Sequence, residues 1–184
     1  MQFPILSVLI FLPLLAGIVL LMVPAQRKDW IRGIALGSAA AVLVLSVAVY
    51  ALYDVAQAGY QFVETAPWVP ALGIQYHVGV DGLSLPLMLL SGLVVFTGVL
   101  VSWHVDERPR EFFSYLMFLG SSVLGVFASL DLFQLFFFFE LAVFPKYLMI
   151  ILWGSPKTRE YGGMKLTLLD RKSTRLNSSH VSES

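Results

Sequence analysis

The stretch Leu132–Gly154, LFQLFFFFELAVFPKYLMIILWG, decides how the rest of the chain is read. From Leu132 to Trp153 it is nearly unbroken apolar sequence, long enough to cross a bilayer at about 1.5 Å per residue. One carboxylate, Glu140, sits near the middle, followed by Pro145 and Lys146. A charge at the bilayer centre costs about 2.5–3.5 kcal/mol, so a carboxylate placed there is a candidate functional group.

The whole chain shares this character. Of its 184 residues, 58% are hydrophobic and 13% charged, whereas soluble domains run at about 45–50% and about 25%. No basic stripe with interleaved aromatics is present, which sets nucleic acid aside as a partner. The absence of cysteine excludes disulfides, thiolate metal sites, cysteine-ligated iron–sulfur clusters and thiol nucleophiles. The N-terminal run MQFPILSVLIFLPLLAGIVLLMV lacks a basic leader and is too long for the apolar core of a cleaved signal, so it reads as a retained span.

Outward from the deciding stretch, further uncharged runs follow the same rule. The expected spans are 4–23, 33–53, 82–103, 112–130 and 132–153, with an outer loop at 54–81. The Gly and Ala content of the second (Gly33, Gly37, Ala39, Ala40, Ala41) suits close helix contact. Within the loop, Ile74, Tyr76, Val78 and Val80 alternate with Gln75, His77 and Gly79, which predicts a short strand or hairpin. Asp81 or Ser84 is the expected N-cap of the third span, with Pro86 in its first turn. Asp131 alone separates the fourth span from the fifth and is expected to cap the latter. Residues 163–169 read as the start of a sixth span, mostly apolar apart from Lys165. The fold class is therefore all-α, a polytopic transmembrane helical bundle of about five complete spans plus that start. Residues 1–169 form its membrane part. The tail 170–184, DRKSTRLNSSHVSES, is polar, aperiodic and serine-rich. It resembles library-adapter sequence read through as protein, with a frameshift or a disordered tail as alternatives.

Charge asymmetry sets the expected orientation. Links after spans one, three and five carry Arg27, Lys28, Arg32, Arg108, Arg110, Lys157 and Arg159, while links after spans two and four carry no Lys or Arg. By the positive-inside rule the basic links face the cytoplasm and the N-terminus lies outside.

Glu140 is the leading chemical candidate. Desolvation penalises a charged carboxylate, so such a group can load and release a proton near neutral pH. Phe136–Phe139 would wall it off from water; the bland alternative is a carboxyl satisfied by a neighbouring helix. Pro145 removes an N–H and frees the carbonyl of residue 141, which predicts a kink one turn beyond Glu140. Lys146 lies about 120° round the helix from Glu140, so it is expected to snorkel or to pair elsewhere. His77 and His104 have no second ligand at metal spacing. No P-loop, dinucleotide fingerprint or nucleophile elbow is present.

The stretches WVPALGIQYHVGVDGLSLPLMLLSGL (Trp68–Leu93) and FFFFELAVFPKYLMIILWG (Phe136–Gly154) resemble the antiporter-like proton-translocating subunits of NADH-quinone oxidoreductase, complex I: subunit M of bacteria and chain 4 of mitochondria. The likeness covers roughly residues 1–169. It implies a subunit that moves protons across the bacterial inner membrane, coupled to NADH oxidation and quinone reduction elsewhere in the complex. It also implies other membrane subunits of complex I, lipid and protons as partners. NADH, FMN, iron–sulfur clusters and quinone would belong to other subunits. Glu140 falls on the family's essential glutamate, in both the aromatic run before it and the proline after. The partner lysine would sit on a later helix absent from this sequence. Lys146 stands where the family usually has an apolar residue. A subunit of a multisubunit sodium/proton antiporter, a structural membrane scaffold and a fragment without function are the competing readings.

Overall fold

The computed structural model describes residues 4–57, 59–69 and 74–154. Five helices and a hairpin follow in order: α1 Ile5–Met22, α2 Lys28–Leu52, β1 Gln61–Val69, β2 Ile74–Val80, α3 Ser84–Val101, α4 Pro109–Ala128 and α5 Leu132–Trp153. All five helices are long and apolar enough to cross a membrane. The fold is thus the expected helical polytopic bundle, with one two-stranded sheet in the link after α2. The expected sixth segment and the tail lie outside the described residues. The described residues fall into two units that divide after Ala142, within the α5 sequence.

The helix ends depart from the uncharged runs for electrostatic reasons. Helix α2 begins at Lys28, and its charged first turns are paired at the surface. Lys28 Nζ and Arg32 Nη2 both donate to Asp106 Oδ1, at 2.8 and 3.2 Å. The Arg32 guanidinium also lies 5.9 Å from the centre of the Trp103 ring. Helix α4 likewise starts at Pro109, whose fixed φ suits a first turn. The two expected N-caps are present. Asp81 Oδ1 accepts the N–H groups of Leu83 and Ser84 at 3.1 and 2.7 Å, while Ser84 Oγ accepts the Asp81 N–H at 2.9 Å. Asp131 Oδ1 accepts the N–H groups of Phe133 and Gln134 at 2.8 and 3.2 Å.

Small residues let the helices of the first unit approach closely, as membrane packing without a hydrophobic drive requires. A Cβ on Gly17 of α1 would stand 2.6 Å from the Phe118 ring of α4, and one on Gly120 would stand 2.7 Å from Val95 of α3. Gly33 and Gly37, expected to serve this purpose in α2, instead face open space. Their helix buries Ala35 and Ala39 on another face, so the close-contact stripe lies there. Two hydroxyls bridge α4 to α1: Ser114 Oγ donates to the Gly17 carbonyl and Ser121 Oγ to the Ile10 carbonyl, each at 2.7 Å. Apolar clusters lie at both ends of this bundle, one around Leu6, Leu9, Val49, Val78 and Met88, the other around Leu20, Ile31, Val99 and Phe113.

The hairpin joins the first of these ends. Its strands run antiparallel from Gln61↔Val80 to Val69↔Ile74, with register shifts between Gln61 and Glu64 and between Pro67 and Val69. Phe62 takes φ 54° within the first shift. The period-two pattern of β2 gives out at its end, where Val78, Gly79 and Val80 are all buried. Covered on both faces, β2 also has its second edge occupied: Val78 bridges to Ser129, and the Leu130 N–H donates to the His77 carbonyl at 2.9 Å. On β1, the Glu64 carboxylate caps α1, accepting from the N–H groups of Leu6 and Ser7 at 2.8 and 3.0 Å and from the Ser7 hydroxyl. Tyr76 OH lies 2.9 Å from Ser7 Oγ. Burial pushes this phenol above its ordinary value, opposed by the Ser7 hydrogen bond and reinforced by the Glu64 charge.

Candidate functional site

Helix α5 presents Glu140 from an apolar environment that only half closes around it. In the first unit the helix buries Gln134 and Phe138, one turn apart, against the rest of the fold. Phe138 fits a notch left by Gly125 of α4, where a Cβ would collide with its ring. At about 100° per residue, Glu140 points well away from this buried pair, and it is exposed. Phe136 and Phe139 beside it are 57% and 47% exposed, so the expected aromatic wall stands open on this face. Among the described residues the Glu140 side chain makes no hydrogen bond or ion pair. No group of three His, Asp or Glu side chains among them is arranged to hold a metal ion.

The hairpin meets two other phenylalanines of α5. The Trp68 indole meets Phe133 and Phe137 edge-on, with ring centres 6.0 and 5.0 Å apart. Beneath it lies a cavity of about 450 Å³ lined by Phe11, Leu14, Pro67, Tyr76, Phe138 and Leu141 among others. Its walls are apolar, and Glu140 is not one of them. Gln134 completes the joint: fully buried, its Oε1 accepts the His77 N–H at 2.8 Å. Its Nε2 is buried without a partner among the described residues.

In the second unit, α5 is helical through a buried Pro145 to Trp153, with Lys146 half-buried. The proline leaves the Leu141 carbonyl without its usual N–H donor. His77 lies in β2 and His104 ends a single 3₁₀ turn, Ser102–His104, after α3. Sequence reasoning passed over Gln134 and Trp68. The available signal for Gln134 was a lone amide in an apolar run; for Trp68 no local signal existed, because its role depends on the hairpin folding back over α5.

No family model matches the chain. Among curated relatives, NAD(P)H-quinone oxidoreductase chain 4 1 of Nostoc sp. is 39% identical over 168 residues, 91% of this chain and 31% of that protein. The corresponding chain 4-2 of Synechocystis sp. is 38% identical over 168 residues, 91% of this chain and 30% of that protein. Among solved structures, a chain of respiratory complex I from Thermus thermophilus with bound NADH matches with a TM-score of 0.75 and 28% identity, covering 89% of this chain and 32% of that one. The chain thus spans about a third of the length of the relatives it matches. Over that third, this chain is similar in sequence to NAD(P)H-quinone oxidoreductase chain 4 and in its helical fold to a chain of respiratory complex I.

Proposed function

We propose that the chain forms part of the proton-translocating machinery of a complex I membrane subunit, with Glu140 as the group that carries the proton. The observation that carries this reading is a single carboxylate in the middle of an apolar span, exposed on a helix face that the described residues leave open. The homology supports it, since the relatives are named as chains of an NAD(P)H-quinone oxidoreductase and span about three times the matched length. A basic side chain on another helix would face Glu140 across that open side and exchange the proton with it. Lys146, about 120° round the helix from Glu140, would reach toward the helix end. The end of the bundle that holds Lys28, Arg32 and Asp106 would face the cytoplasm of the bacterial inner membrane, and the hairpin the other side. Electron transfer would take place on other subunits.

A hydrophobic carbodiimide, which reacts with protonated carboxyls in apolar surroundings, tests this reading on the membrane-embedded complex. The peptide containing Glu140 should be modified, with proton movement blocked in proportion. Labelling that is equally rapid with a water-soluble carbodiimide, or full modification with unchanged pumping, would contradict it.

A further inference from the structure

We infer that Gln134 and Trp68 are positioning residues that fix the roll of α5, and with it the direction in which Glu140 points. The inference rests on the proposed role of Glu140 and adds the means by which the carboxyl is aimed. Before Ala142, three contacts among the described residues bear on how α5 is seated. Phe138 sits in the Gly125 notch, Gln134 Oε1 accepts the His77 N–H at 2.8 Å, and Trp68 stands edge-on to Phe133 and Phe137. The Phe138 contact is apolar and resists separation more than rotation. The other two are directional. Gln134 grips the backbone of β2, itself tied to the α4–α5 link through the Leu130 N–H and the Val78–Ser129 bridge. Trp68 presses from the opposite strand, on the side of the helix nearer Glu140. Side chains reach about 5–6 Å from a helix axis, so a roll of about 15° would carry the carboxyl about 1.5 Å. A misplacement of about 1 Å in a reacting group can lower a rate on the order of 100-fold. The hairpin therefore acts as a clamp on the helix that carries the proton-carrying group.

The test uses the complete complex in sealed vesicles, with NADH oxidation, proton uptake and the infrared carbonyl stretch of protonated Glu140 read together. That band is assigned by its loss in E140Q. Q134M keeps the volume but loses the acceptor; W68A removes the ring and W68F retains its edge. Q134M and W68A should shift the Glu140 band and lower protons moved per electron about threefold or more, within the range that such indirect changes produce. W68F should restore both. A merely structural role would change the amount of assembled complex without moving the band. Q134M and W68A complexes with a native band and native pumping, beside an inactive E140Q, would overturn the inference and leave the reading of Glu140 intact. Native pumping in E140Q would overturn that reading and this inference together. Should Q134M fail to assemble, Gln134 is a folding residue and its assignment falls; W68A against W68F then decides for the tryptophan.

Discussion

Helices α4 and α5 are adjacent, joined by a short link, and equally able to cross a membrane, yet they are used in opposite ways. Half of the span window of α4 is buried, against 11% for α5. The first is built of serine, glycine and medium apolar residues, and it packs on α1, α2 and α3. The second is a row of phenylalanines whose large rings mostly point outward around one carboxylate. Without a hydrophobic drive between helices, small residues and hydroxyls are what create a packed interface in lipid; a face of exposed phenylalanines has no such fit with the helices present. One helix holds the fold, and the other leaves its one carboxylate exposed.

Three substitutions sharpen this contrast, from the largest effect to the smallest. G125L should be severe, because the side chain would fill the notch that seats Phe138. Overpacking of this kind costs roughly 1–3 kcal/mol and sometimes more, so assembled subunit in membranes should fall several-fold. Near-normal assembly would mean that α5 is not seated on α4 in this way. S121A removes a bond from α4 to the Ile10 carbonyl, worth about 0.6 kcal/mol and up to about 1.7. Thermal unfolding in detergent should shift slightly but reproducibly, and the double variant with S114A should shift about twice as far, as additivity of separate sites requires.

D81A acts outside the membrane and should be comparable or smaller, about 0.5–1 kcal/mol for a lost cap on an exposed helix start. The pH dependence has a definite sign. The Ser84 N–H, foremost, holds the Asp81 carboxyl below its usual range. The cap's contribution is therefore fully present above the unfolded value of about 3.9, and it is lost as the pH falls through the lower native value. Native and D81A proteins should converge in stability at strongly acid pH. A gap that widens on acidification would refute the assignment.

Much of the fold was legible in the sequence because bilayer thickness and charge exclusion act on local runs. All five spans follow from them, as do the caps at Asp81 and Asp131. The start of α2 was not, because pairing of Lys28 and Arg32 with Asp106 is a contact between distant parts of the chain. Strand β2 showed its alternation, whereas β1 contains Pro67 and two register shifts that erase the pattern. Gly33 and Gly37 misled for a related reason: sequence spacing shows which residues share a stripe but not which stripe is covered. At the site, Glu140 was conspicuous because a charge in an apolar run is rare. The clamp of Gln134 and Trp68 was hidden, being formed by a hairpin far away in the chain.

If Glu140 carries protons, its loss must show in the proton-to-electron ratio of the assembled E140Q complex. With NADH oxidation measured on the same vesicles, the account predicts a ratio well below native in E140Q and substantial recovery in E140D, where a shorter carboxyl is retained. A native ratio in fully assembled E140Q complex would contradict it.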